Sequence, residues 1–158
     1  MDVNGFKGPN SEARNGKQYD IRSFKVAKFS TGCAGIYIDG IGCVYQLPSY
    51  SPIKAGSEEM EKWDPRWKKS GHPRSDNYWA GAKKACDDIG MSLPDKSKLK
   101  SIYEAGQKDS SLGFPREWFW SSSENPNSDG AYDMHFGNGA TNSNAKYDWT
   151  NKVLCVGD

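Results

Sequence analysis

The chain has 158 residues, which fits one domain or one domain with a small appendage. Aromatic residues make up 13% of the sequence, and this excludes a wholly disordered chain because such chains are poor in aromatics. The net charge of +1 gives no reason to expect nucleic acid or an anionic membrane as a partner.

The first third of the chain carries turn and strand signals. Residues 1–18 contain Asn-Gly twice and Gly-Pro once, which are turn dipeptides. Residues 19–30, YDIRSFKVAKFS, alternate imperfectly between apolar and polar and predict one or two strands. Residues 35–47, GIYIDGIGCVYQL, predict two more strands, with a hairpin turn at Asp39-Gly40. We therefore predict a strand-rich segment over residues 1–48.

The composition of the next segment is typical of a linker. Residues 48–74 contain four Pro and many charges around Trp63 and Trp67. We interpret residues 49–74 as a Pro- and charge-rich connector, which its two Trp side chains pin to the domain that follows, residues 75–158.

Two helices are predicted at the start of that domain. Apolar residues recur at helical spacing over about 76–89 and include Ile89, and Gly90 supplies the stop. A second helix begins after Asp95, whose side chain can cap it, and is expected to end at Gly106. Its inner stripe consists of Leu99, Ile102 and Tyr103.

After Gly113 the helical periodicity stops and strands follow. EWFWSSS, AYDMHF and KVLCV each predict one strand. In AYDMHF, alternation places Asp133 and His135 on the face opposite the apolar residues, where we expect solvent or a ligand. The expected core residues of this region are Trp120, Tyr132, Met134 and Phe136.

Four cysteines are present, and none lies in a C-x-x-C motif or in a Cys/His spacing suited to zinc. An even number in a loop-rich chain favours two disulfides and an oxidising compartment. Three pairings are possible, and four free buried thiols are the alternative. No apolar segment follows Met1, so we expect a targeting segment to be absent from this sequence.

The order YWAGAKKACDDIGMSLPDKSKL, then FWSSSENPNSDGAYDMHFGNGATNSNAKYDWTNKVLCV, resembles a C-type-lectin-fold family. It is the branch related to formylglycine-generating enzymes and to bacterial adhesin domains of the Lcl type. The resemblance covers about 75–158 and implies an α+β fold with two helices, small antiparallel sheets and long loops. It also implies that Cys86 pairs with Cys155. Lys98 and Leu154 depart from the family pattern, where an acidic residue and an arginine are usual.

The same fold carries the variable proteins of diversity-generating retroelements, in which mutagenised adenines scatter Asn codons into other residues. Glu, Gln, Lys, Met and Trp cannot be reached from an Asn codon in this way. Over residues 125–151 only Met134, Lys146 and Trp149 are of these types, 3 of 27, against 20 of 60 over residues 54–113. An alternative explanation is that any Gly- and Asn-rich loop is poor in long side chains.

We name residues 125–151 the polar face and predict a ligand-binding site on it. Tyr and Trp supply rigid contact area and Asn adapts its hydrogen bonds, the mixture that antibody loops use. The alternative is that Tyr147 and Trp149 belong to the core. The candidate binding residues are Asp133, His135, Asn142, Asn144, Tyr147, Asp148 and Trp149.

The opening residues DVNGFKGPNSEARNGKQYDIRSF resemble a segment near the end of some type IV pilin or pseudopilin-like proteins. A later cysteine pair like Cys33 and Cys43 often follows in those proteins. The resemblance implies a strand-rich, pilin-like segment that carries a lectin-fold head at the cell surface.

These resemblances imply a binding protein rather than an enzyme. With only His72 and His135 present, the sequence has no Ser/His/Asp or Cys/His grouping for nucleophilic catalysis, and we expect no cofactor and no metal. The expected partner is a protein or glycan on another cell or surface, and possible further partners are other pilus subunits; we expect neither nucleic acid nor membrane contact.

Two alternatives remain at this point, a non-variable Lcl-type adhesin that binds a glycan and a purely structural pilus subunit. Residues 115–158 hold three basic and six acidic side chains, a net charge of −3, which argues against glycosaminoglycan binding.

Overall fold

The structure is a computed structural model that describes residues 32–157. The chain divides into two compact units, one reaching to Tyr45 and the other comprising residues 46–157, and each is described by itself. The turns and strands predicted within residues 1–30 lie outside the described residues. The described chain is an α+β protein with three α-helices and small antiparallel sheets.

In the first unit, strands β1 (Ile36–Ile38) and β2 (Gly42–Gln46) form an antiparallel hairpin. The predicted turn at Asp39-Gly40 is confirmed, and Gly40 has a φ of +82°, which other residues rarely adopt. A disulfide joins Cys33 to Cys43 and closes the hairpin onto the preceding turn.

Three α-helices lie in the second unit: α1 (Glu59–Trp63), α2 (Tyr78–Asp88) and α3 (Lys96–Lys108). Single turns of 3₁₀-helix cover Trp67–Lys69 and Ser110–Leu112. Helices α2 and α3 were predicted, whereas α1 was not. The predicted cap of α3 is confirmed, because the backbone N–H of Lys98 donates to Asp95 Oδ1 at 2.7 Å.

Two details of the helix prediction are wrong. Gly106 does not end α3, which continues to Lys108. A Cβ at this position would lie 2.9 Å from the Phe114 ring, so glycine serves close packing here rather than termination. Ile89, expected to be the last apolar residue of α2, is instead its C-terminal cap and is 47% exposed.

The predicted strands after Gly113 are present as β3 (Trp118–Glu124), β4 (Gly130–His135) and β6 (Leu154–Gly157). Strand β5 (Thr141–Ala145) was not predicted, since it contains no large apolar residue to reveal an alternation. Strands β3, β4 and β5 form an antiparallel sheet in that order, in which Trp120 lies opposite Asp133.

Both faces of β4 are covered by the core. On one side a buried cluster surrounds the Cys86–Cys155 disulfide and includes Trp79, Trp120 and Ala131. On the other side lie the rings that contact Phe136, namely those of Tyr103, Phe114 and Phe119.

The predicted core residues Trp120, Met134 and Phe136 are buried. Tyr132, also predicted as core, is only half-buried, and Lys96 Nζ lies 4.1 Å from its ring centroid.

The segment 49–74, expected to be a connector, belongs to the second unit. Trp67 is 2% exposed and packs in a cluster with Ile53, Met60 and Ala80. Its indole N–H donates to the carbonyl of Ser75 at 3.2 Å. The two Trp side chains were expected to pin this segment to the domain, and Trp67 is buried within it.

Candidate functional site

The polar face consists of β4, β5 and the loops that border them. Of the seven predicted binding residues, Asn142, Asp148 and Trp149 are exposed and Asp133 is buried. The remaining three, His135, Asn144 and Tyr147, are half-buried. The sequence thus identified a region that combines displayed side chains with supporting ones.

Asp133 was expected to face solvent or a ligand, and this expectation is wrong. The residue is 1% exposed, because its face of β4 is covered. Asn144 Nδ2 donates to Asp133 Oδ2, and Asn151 Nδ2 donates to the same oxygen at 2.7 Å. Asp133 therefore ties β5 and the last loop of the polar face to the central strand.

The environment of Asp133 predicts a pH dependence of stability. Burial raises the pKa of its carboxyl above the ordinary value of 3.8, although the two amide donors oppose the shift. The native state therefore binds this proton more tightly than the unfolded chain does. The protonated Asp133 carboxyl stabilises the fold at low pH, and this stabilisation is lost as pH rises through the raised pKa.

Asp133→Asn should remove this dependence. We expect the unfolding free energy of the unsubstituted protein, relative to the variant, to increase as pH falls from neutrality toward about 4. Urea denaturation of both proteins across this range, at constant ionic strength, measures the difference and cancels the titration of other groups. A relative loss of stability on acidification would contradict the direction of the pKa shift.

His135 organises a turn rather than presenting a free imidazole. Its Nδ1 accepts from the backbone N–H of Gly137 at 3.0 Å, which assigns the ring proton to Nε2. The ring lies edge-on to Trp118, with centroids 5.1 Å apart. A Cβ at Gly137 would lie 2.6 Å from the His135 ring, so any larger residue here would have to displace the imidazole.

Tyr147 and Trp149 differ in their environments. The ring of Tyr147 stacks on His72 with centroids 4.0 Å apart and packs against the Trp67 cluster. Trp149 is 44% exposed, which resolves the alternative that it belongs to the core. A large indole on the surface offers rigid, apolar contact area beside polar neighbours.

An ion network lies under the polar face and was not predicted from the sequence. Lys146, which is 1% exposed, donates through Nζ to Asp64 Oδ2 at 2.9 Å and to Glu124 Oε2 at 2.6 Å. The same Nζ lies 4.2 Å from the ring centroid of Trp79. Arg66 reinforces the network, with Nη1 at 3.4 Å from Glu124 Oε2 and Nη2 donating to the carbonyl of Ser128 at 2.7 Å.

One weak signal pointed to this network. Lys146 is the single Lys or Arg within residues 125–151. Asp64 lies 82 positions before Lys146, in the segment that was interpreted as a connector. No local sequence pattern could therefore predict that these two residues pair.

Loop 147–150 is anchored at both ends by buried polar contacts. Lys146 precedes the loop and is fixed by Asp64 and Glu124, and Asn151 follows it and is fixed by Asp133. Between these anchors, residues 148–150 are exposed. The arrangement displays Trp149 on a short segment whose ends are held by the domain interior.

The cysteines of the described chain are all paired. All four cysteines form the two disulfides, which are typical of oxidising compartments and confirm the predicted disulfides. Within residues 32–157, no group of three or more His, Cys, Asp or Glu is placed to hold a metal ion. Over the same residues, no helix has the length and apolar character needed to cross a membrane.

Comparisons of the chain with protein-family models, with curated proteins and with solved structures found no match.

Proposed function

We propose that this chain is a cell-surface ligand-binding protein whose polar face is a variable binding site on a fixed C-type-lectin scaffold, diversified by a retroelement. It acts by binding a protein or glycan partner, without catalysis, and is carried on a pilin-like segment. The observation that carries the proposal is the exposed loop around Trp149, held at both ends by buried contacts.

A variable binding site needs side chains that can change without loss of the fold. Asn142, Asp148 and Trp149 meet this condition, since they are exposed, and substitutions at exposed positions usually change stability little. Met134 and Lys146, two of the three residues that adenine mutagenesis of an Asn codon cannot produce, are buried. Trp149, the third of these residues, is exposed, so we treat it as a fixed or independently acquired position within the displayed loop. Codon logic and burial agree at Met134 and Lys146, and this agreement supports the proposal.

The experiment that tests the proposal is deep sequencing of the 3′ end of the gene and its flanking DNA in a growing population. We expect substitutions at the codons for Asn142, Asp148 and neighbouring exposed positions, matched by a nearby repeat that differs at adenines. Uniform codons and the absence of a repeat would overturn the proposal that a retroelement diversifies this site. The protein would then be a fixed adhesin or a structural pilus subunit.

Stability measurements provide a second check. Alanine substitution of Asn142, Asp148 or Trp149 should change the free energy of unfolding by no more than about 0.5 kcal/mol. Asn151→Ala is the matched control, because it removes one of the two amide donors to the buried Asp133 carboxyl and should cost about 1–3 kcal/mol. Denaturant titration followed by Trp fluorescence measures all four variants. An equal loss at displayed and buried positions would contradict the division of roles.

A further inference from the structure

A pocket of about 410 Å³ lies in the second unit, in the segment that includes α1 and the 3₁₀ turn at Trp67–Lys69. Its apolar lining comes from Met60, Trp67 and Pro73. The predicted binding residues do not line it, so it is a different feature from the polar face.

Two buried oxygens at this pocket lack hydrogen-bond partners. Within residues 32–157, neither Asp64 Oδ1 nor Ser57 Oγ is paired, and both residues line the pocket. Asp64 is 1% exposed, and its other oxygen already receives Lys146 Nζ and Asn77 Nδ2, each at 2.9 Å. A buried acceptor left unpaired is unfavourable, so the site favours a ligand that donates hydrogen bonds.

The charges at the pocket favour a cation. Glu58, Glu61 and Asp64 line it against one basic residue, Lys68, which pairs with Glu61 at 2.8 Å. Arg66 also pairs with Glu124, so Lys146 offsets the charge of Asp64, and Glu58 gives the lining its excess negative charge. These three acids are not grouped as a metal site, and the apolar lining suits methylene groups better than a hydrated ion.

We propose that this pocket binds a primary alkylammonium group. The ammonium donates hydrogen bonds to Asp64 Oδ1 and Ser57 Oγ, and the alkyl chain packs against Met60 and Trp67. A small free amine and the side chain of a lysine share this chemistry. The inference is independent of the proposed function, because it uses no residue of the polar face as a contact.

The test is an NMR titration of the full chain with pentylamine, read from the amide signals of residues 56–68 and the Trp67 indole. Pentan-1-ol and pentanoate are the matched neutral and anionic probes. We expect saturable shifts with the amine and at least about 10-fold weaker binding of the alcohol, because the alcohol lacks the charge. Equal binding of amine and alcohol, or no saturable shift with the amine, would overturn the proposal.

Ser57→Ala provides the variant test, because Asp64→Asn also removes a partner of Lys146 and can prevent folding. The Ser57 hydroxyl has no partner in the described part of the chain, so its removal should leave the fold intact. We expect about 5-fold weaker binding of pentylamine, the effect of losing one hydrogen bond. Ser101→Ala, at an exposed serine of α3, is the control, and equal binding by both variants would also overturn the proposal.

The two sources of the group are separated by a further probe, Nα-acetyl-lysine methylamide. Binding at least as tight as that of pentylamine supports the lysine side chain of a protein as the natural ligand. Binding of pentylamine alone supports a small free amine.

Discussion

Replacing Lys146 by methionine is expected to lower the free energy of unfolding by about 3–5 kcal/mol. The side chains of Lys146 and Asp64 are almost completely inaccessible to solvent. Without the lysine, the Asp64 carboxylate stays buried and loses its nearest counter-charge, because Arg66 contacts Glu124 instead. Small domains are commonly stable by 5–15 kcal/mol, so this loss would remove a large part of the total.

Lys68→Met is the matched control for this prediction. Lys68 pairs with Glu61 at 2.8 Å, a distance like that of the buried pair, but both side chains are exposed. Exposed ion pairs contribute about 0–1 kcal/mol, so the control should lose little. Adding Asp64→Asn to Lys146→Met should recover part of the loss, since the unpaired charge is then gone. If urea denaturation gave equal losses of unfolding free energy for Lys146→Met and Lys68→Met, the prediction that the buried pair contributes more to stability than the exposed pair would be wrong.

Replacing Cys86 and Cys155 together by alanine is expected to lower the free energy of unfolding by about 4 kcal/mol. The disulfide joins residues 69 positions apart, and it restricts the unfolded chain in proportion to the logarithm of the loop that it closes. Both residues are also fully buried in the cluster with Trp79 and Trp120, so the substitution leaves unfilled volume in the core.

The second disulfide provides the comparison. Cys33 and Cys43 are 10 positions apart, and the same chain-entropy estimate gives about 3 kcal/mol for their removal. Chemical denaturation of the two paired variants and of the unsubstituted protein should therefore rank Cys86–Cys155 as the larger contributor. A larger loss from the Cys33–Cys43 variant would contradict the loop-length argument.

Local sequence patterns predicted most of the elements that position the candidate site. Helices α2 and α3 follow from apolar spacing, and Asp95 was identified as a cap because a short polar side chain preceded the repeat. Strand β5 and helix α1 were not predicted, since the strand contains no large apolar residue and the helix spans only five residues. Short or polar elements carry too little periodicity to be recognised without their neighbours.

The composition of the sequence indicated where the candidate site lies, but it did not show which of its residues are exposed and which are buried. Asn142, Asp148 and Trp149 are displayed as expected, whereas Asp133 is buried. Alternation along a strand assigns side chains to two faces, but it does not say whether one face or both are covered. In this protein the disulfide cluster and the aromatic cluster around Phe136 cover both faces of β4.

The sequence by itself determined helices α2 and α3, most strands, the hairpin turn and the region that displays polar side chains, because these depend on residues close together in the chain. Only the tertiary structure decided which polar residues are buried and with which partners they pair. Lys146 contacts Asp64 across 82 positions, and Asn151 contacts Asp133 across 18. Burial of a charge is tolerated where the fold brings a counter-charge within hydrogen-bond distance, and that distance is set by packing rather than by local sequence.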